Sequence, residues 1–251
     1  MSYKIGILIP TTSAGRNWKD AKETYLYNIF MKSFMKTYCK QYNYTIYLGI
    51  DDNDRIFSKE NEREEIKKFE KIMPTVSIEF VSMTGIEKGW VTKMWNRLFK
   101  KAYDDNCDYF YQCGDDIVFV NIEWTVQSIN KLLQHNDKGL TGPLDYGRIR
   151  ANPRSCLPGG DRFIQTQTFV SRKHMDIFGF FFPQEIKNWF CDDWITKVYY
   201  PEFFYPMRNK FIINQGGNPR YNPDGSLYPN DPVKKLCEEL VNKHKLLLLT
   251  K

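Results

Sequence analysis

DYFYQCGDDIVF, Asp108 to Phe119, sets two apolar runs on either side of a Gly114-Asp115-Asp116 turn. A short apolar run bounded by a turn signal reads as a strand buried on both faces, the kind found inside a parallel sheet. Gly and Asp are ordinary turn residues, so the turn alone is equally well a solvated loop. Its setting adds a second reading. Two adjacent carboxylates leaving a hydrophobic strand repel one another and lose hydration unless a cation lies between them. Oxygen ligands select a hard ion such as Mg²⁺ or Mn²⁺, which keeps positions open for substrate phosphates.

Upstream of this stretch, strand-like and helix-like segments alternate. Lys4 to Pro10 is a short apolar run that ends in Pro10-Thr11-Thr12-Ser13. Between Lys19 and Tyr42, Leu26, Ile29, Phe30, Phe34 and Tyr38 recur at helical spacing. Tyr44 to Ile50 is β-rich and stops at Asp51-Asp52-Asn53-Asp54; a charged helix and a strand from Val76 to Met83 follow. Val91, Met94, Trp95, Leu98, Phe99 and Ala102 then fall on one helical face. This alternation predicts an α/β fold: a mostly parallel sheet flanked by helices, in a single domain spanning residues 1–251. In such a sheet ligands bind at the carboxyl ends of the strands, where three of these strands end in polar residues.

Downstream, the pattern predicts a helix from about Glu123, a strand near Leu140 to Gly142, and an irregular stretch from Pro143 to Asp161. Strands are expected over Phe163 to Val170 and Lys210 to Asn214, with an aromatic-rich segment, Phe178 to Trp194, between them. A loop from Gln215 to Asp231 leads into a last helix, with Asp231 as its N-cap and Pro232 at its first position.

Composition narrows the class. The chain is 42% hydrophobic and 16% aromatic, enough for a full core, and its net charge of +6 is spread over many segments. A nucleic-acid binder concentrates such an excess in one stripe, so no nucleic-acid partner is expected. Six cysteines without a C-x-x-C pair fit free thiols in a reducing, cytoplasmic setting. No stretch approaches the ~20 apolar residues of a membrane span, so no integral membrane segment is expected. The absence of G-x-G-x-x-G and of G-K-[ST] disfavours a Rossmann dehydrogenase and a P-loop enzyme.

The order KIGILIPTTS, YLGIDD, amphipathic helix, YFYQCGDDI resembles the GT-A fold glycosyltransferases. The resemblance implies a nucleotide-sugar donor, a UDP-sugar foremost, held by Pro10, Thr11, Thr12 and Asp51. It aligns Gly114-Asp115-Asp116 with the family's D-x-D, with Asp116 as ligand to Mn²⁺ or Mg²⁺ and Asp115 beside it. Gly114 stands where that motif has its first acid. FCDDWITKVY, Phe190 to Tyr199, is similar to the family's acidic motif at a helix start. Carried over, Asp193 is the general base for an acceptor hydroxyl, with inversion at the sugar, and Asp192 is its orienting neighbour. Trp189 and Trp194 would be a platform for a glycan, lipid-linked or protein-borne acceptor. NQGGNPRY, Asn214 to Tyr221, resembles the late loop over the diphosphate, with Arg220 and Lys93 as phosphate contacts. Residues 1–120 would then bind nucleotide sugar and metal, and 121–251 the acceptor. A sugar nucleotidyltransferase and a non-catalytic carbohydrate-binding protein are the rival readings.

Overall fold

The computed structural model describes residues 2–216, 225 and 231–251. β1 (Lys4–Thr11) is followed by a short π-helix, Leu26–Met31, that runs into α1 (Lys32–Thr37). Next come β2 (Asn43–Ile50), α2 (Glu60–Ile72), β3 (Val76–Ser82), α3 (Val91–Asp104) and β4 (Tyr109–Gln112). The second half holds β5 (Ile117–Phe119), α4 (Trp124–Leu133), β6 (Pro143–Asp145) and α5 (Tyr146–Ala151). It finishes with β7 (Thr168–Ser171), α6 (Lys173–Phe178), α7 (Cys191–Tyr199), β8 (Met207–Asn214) and α8 (Pro232–Thr250).

The main sheet has the order β3-β2-β1-β4-β7, with the first four strands parallel and β7 antiparallel to β4. A small sheet, β5-β8-β6, stands beside it. Strand alternation divides the core between two faces. Ile5, Ile7 and Ile9 pack with Ile46, Leu48, Phe30, Phe34 and Trp124 on one face. Leu8, Tyr47 and Phe110 pack with Leu98, Phe99, Trp194 and Leu240 on the other.

α3 forms because its apolar residues recur at steps of three and four, burying Met94, Leu98, Phe99 and Ala102 against the sheet. Each large side chain so buried contributes roughly 1.5–3 kcal/mol. The helix comes unusually close to the strands at two glycines. A Cβ at Gly6 would lie 3.0 Å from Ala102 Cβ, and one at Gly49 would lie 2.9 Å from Met83 Cε and 3.3 Å from Leu98 Cδ1. α8 begins as its sequence suggests: Asp231 accepts from the backbone N–H of Val233 and Lys234, with Pro232 in the first turn.

Three expectations need correction. The stretch after Pro143 is not wholly irregular, since it holds β6 and α5; Asp145 accepts from Gly147 and Arg148 N–H and so starts that helix. The strand expected over Phe163 to Val170 is only β7, because the residues before Thr168 turn inward to line the cleft described below. The strand expected near Leu140 to Gly142 is only a pair of isolated bridges, Leu140 to Phe204 and Thr141 to Phe169; at α7 the cap position is Phe190, in left-handed conformation, and both acids of Asp192-Asp193 lie in the first turn.

Candidate active site

One cleft of about 1200 Å³ opens where β1, β4 and β8 end and where α3, α5 and α7 converge. Pro10 and Thr11 come from the end of β1, Gly114 and Asp116 from the turn after β4, and Asn214 from the end of β8. The same cleft is also lined by Arg148 of α5, Arg162, the segment Trp189 to Asp193, Lys197 of α7 and Lys234 of α8. Segments far apart in sequence thus line one space.

The β1 end is held rigidly from beneath. Asp115 is fully buried and accepts a 2.5 Å hydrogen bond from the Thr11 hydroxyl. Asp54, also buried, accepts from Thr12 Oγ1 at 3.1 Å, from Ser13 N and Oγ at 2.6 and 2.9 Å, and from the backbone N–H of Ile56 and Phe57. The two loops are therefore laced together by carboxylates that satisfy buried donors, which would otherwise cost about 1–3 kcal/mol each. Sequence reading named Asp51 in this loop and passed over Asp54. An acid three residues ahead of a backbone N–H, followed by an apolar pair, was the available signal. Asp51 lines a second cavity of about 400 Å³, together with Ser13, Arg16, Asp52 and Lys88, and the two cavities share Thr12.

Asp116 lines the main cleft and Asp115 does not. The Asp115 carboxylate lies in the interior, where it anchors Thr11. Asp116 is enclosed by two glycines. A Cβ at Gly114 would lie 2.5 Å from Asp116 Oδ1, and one at Gly216 would overlap its carboxylate outright. The backbone is drawn in around it: Gln215 N–H donates to the Asp116 carbonyl at 3.0 Å, and Arg16 donates to the Gly216 carbonyl at 3.2 Å. Glycine where D-x-D has its first acid makes room for this arrangement.

Among the described residues no group of three His, Cys, Asp or Glu side chains could cage a metal ion. One carboxylate at the cleft floor fits an ion of the Mg²⁺ type, which keeps several waters and takes most remaining ligands from substrate phosphates. It does not fit a resident ion enclosed by the protein.

Asp192 and Asp193 lie in the first turn of α7, facing the cleft. Burial, with the neighbouring Asp193 charge adding to it, pushes Asp192 up to about 7. Burial also raises Asp193, but Lys197, Arg148 and Lys234 oppose the shift; Lys197 Nζ lies 3.8 Å from Asp193 Oδ1. Of the aromatic pair, Trp189 lines the cleft and Trp194 does not. Trp194 is 0% exposed, packed among Phe178, Phe180 and Phe182, and its Nε1 donates to His244 at 3.2 Å. It is corrected from acceptor contact to core, since a helix residue one step past the acids turns to the sheet side. Lys93 is corrected likewise: its ammonium sits 3.4 Å from the centre of the Trp90 ring, and it is not part of the cleft wall. Arg220 lies outside the described residues.

No protein-family model matches the chain, and no curated protein matches it. Solved structures do. S. aureus TarS 1–349 in complex with UDP aligns at a TM-score of 0.60 and 14% identity, over 96% of this chain and 65% of that one. Another structure of S. aureus TarS 1–349 gives 0.56 and 14%, over 84% and 60%. A longer S. aureus TarS structure gives 0.51 and 14%, over 84% and 36%. The chain therefore spans less than two thirds of the length of these neighbours. The fold is the GT-A-like α/β fold that these neighbours share, with a mostly parallel central sheet flanked by helices. Among the described residues no helix is long and apolar enough to cross a membrane.

Proposed function

We propose that the chain is a glycosyltransferase that moves a sugar from a nucleotide sugar to an acceptor hydroxyl. The observation that carries this reading is a cleft lined both by Thr11 and Asp116 at the strand ends and by the Asp192–Asp193 turn. The UDP bound by the TarS neighbour favours a UDP-sugar as donor.

The donor diphosphate would lie over the β1 end and Asp116. Asp116 would be a protein carboxylate holding a Mg²⁺ or Mn²⁺ ion there. Such an ion, when bound, offsets the negative charge that grows on the leaving phosphate. The β1 loop stays fixed while this happens, because Asp54 and Asp115 restrain it from below.

An acceptor hydroxyl has a pKa far above neutrality, so a carboxylate must take its proton as attack proceeds. Asp193 suits that task. Burial makes it more basic than a free aspartate, and the charges of Lys197, Arg148 and Lys234 oppose that rise. Asp192, at about 7, carries a proton part of the time and can donate a hydrogen bond that orients the acceptor. Trp189 offers its ring to a sugar in the same cleft. A base across the cleft from the leaving group implies attack on the far side of the sugar and inversion, by the geometry that divides glycosidases.

The test is nucleotide release from a panel of nucleotide sugars with Mg²⁺ or Mn²⁺, with and without chelator, followed by the anomeric configuration of the product. Release from a UDP-sugar with inversion is expected. No release from any donor would favour a carbohydrate-binding protein, and pyrophosphate-dependent formation of a nucleotide sugar would favour a nucleotidyltransferase.

A further inference from the structure

The wall of the cleft around the acid pair holds more cations than a neutral sugar acceptor requires. Arg148, Arg162, Lys197 and Lys234 come from α5, the loop before β7, α7 and α8, and all four line the cleft. Among the described residues, only Lys197 has an ion-pair partner within 4 Å, the 3.8 Å contact to Asp193. Arg148 donates to the Arg162 carbonyl at 3.1 Å, which orients its guanidinium without neutralising it. Arg148 is also close enough to both acids to pull their titration downward.

The acids that line the cleft with these four cations are Asp116, Asp161, Asp192 and Asp193. Asp192 is only partly ionised at neutral pH, so the ionised carboxylates fall short of the cations. Cations beside a general base weaken it, so their accumulation here runs against base strength alone. Two polar donors add to the ligand-seeking character: Trp95 Nε1 and Thr166 Oγ1 are buried atoms of cleft-lining residues, and among the described residues neither has a hydrogen-bond partner. A planar guanidinium with free N–H groups is matched to an oxyanion, above all to phosphate.

We propose that the acceptor carries a phosphate group, bound by Arg148 with Arg162 and Lys234 while the hydroxyl to be glycosylated faces the acid pair. This rests on the transferase reading for its word "acceptor", but the anion site stands on the cations alone. The other source of the same chemistry is the donor diphosphate. The acceptor is favoured because Arg148 and Lys234 act on Asp193, the group set to receive the acceptor's proton.

The test is calorimetric binding of glucose 6-phosphate and of glucose, each with and without saturating UDP and Mg²⁺. With UDP present, glucose 6-phosphate should bind at least about 10-fold more tightly than glucose, the worth of one charge-assisted hydrogen bond. Arg148→Gln and Lys234→Gln should each collapse that ratio toward one, and added salt should weaken it. Equal binding of both sugars overturns the proposal, and so does phosphate binding that disappears when UDP fills the donor site. A ratio unchanged in Arg148→Gln would also overturn it, leaving that residue as a tuner of the acids visible only as a shifted pH profile. If no donor releases nucleotide but the binding ratio holds, the transferase reading fails and the anion site survives.

Discussion

The two walls of the cleft are built on opposite principles. At the ends of β1 and β2, polar groups are paired: Asp54 ties Thr12 and Ser13 to the second loop, and Asp115 ties Thr11 from below. At the start of α7, two carboxylates are raised by burial beside Arg148, Lys197 and Lys234, of which, among the described residues, only Lys197 has an ion pair, to Asp193. A satisfied network rigidifies, whereas like charges held together in a partly dry cleft store unfavourable electrostatic energy that a substrate can relieve. The first wall is suited to hold a rigid diphosphate, and the second to change protonation during a reaction. Substitutions should therefore affect stability on one side and turnover on the other.

The largest break in that contrast is Asp193→Asn. Loss of a general base should cut transfer by roughly 10²–10⁴-fold, with donor affinity nearly unchanged, because Asp193 faces the acceptor wall. Steady-state kinetics with separate donor and acceptor KM values checks this. A fall in donor affinity to match the fall in rate would place Asp193 on the wrong side.

On the other wall the effect should be on the fold. Asp54→Ala removes the acceptor for five donors, two of them hydroxyls and three backbone N–H groups. A loss of about 3 kcal/mol is expected, measured by urea unfolding. Asp192→Asn, with no such network, should not approach this cost, and equal destabilisation by both would erase the distinction between the walls.

Legibility in the sequence follows the same division. The four parallel strands and α3 could be read because apolar period and length decide them locally. The polar strand ends could be read because turn residues mark where an apolar run stops. Which acid turned inward was hidden: Asp115 and Asp116 are chemically identical neighbours, and only the approach of Gly216 from a hundred residues away separates their roles. Trp194 was misread because an aromatic beside catalytic-looking acids has the same sequence signature in a core as at a sugar. Arg148 was missed because the Pro143 to Asp161 stretch was read as irregular, although GRIRANPR carries a dense run of cations.

Gly216→Ala probes the floor between the walls. The added methyl would overlap the Asp116 carboxylate, so either that side chain or the backbone after β8 must move. The fold should persist, since the site is at the end of β8, but the Mg²⁺ or Mn²⁺ concentration for half-maximal turnover should rise about 10-fold, as for the loss of an orienting neighbour. An unchanged metal requirement, with turnover intact, would show that Asp116 does not need this position.

The smallest effect is a pH-dependent one and isolates the stored electrostatic energy itself. Asp192 titrates at about 7 in the folded chain, against the 3.8 of a free aspartate. The native state therefore binds this proton more tightly than the unfolded state does. Its contribution to stability is complete below about pH 4 and is lost as pH rises through 7. Asp192→Asn carries no titrating group, so the variant should match the wild type near pH 4 and exceed it near pH 8. Allowing for partial exposure and solvent screening, a gain of about 1 kcal/mol is a fair expectation, or roughly 2–4 °C in Tm for a chain of this size. Thermal unfolding at both pH values gives the difference directly. Asp193→Asn provides the internal control, because removing the neighbouring charge should let Asp192 ionise at lower pH and narrow the window over which stability is lost. A constant Tm difference across pH 4–8 would mean that Asp192 is ionised throughout, and the acid pair would then be an ordinary helix-start charge rather than a strained one.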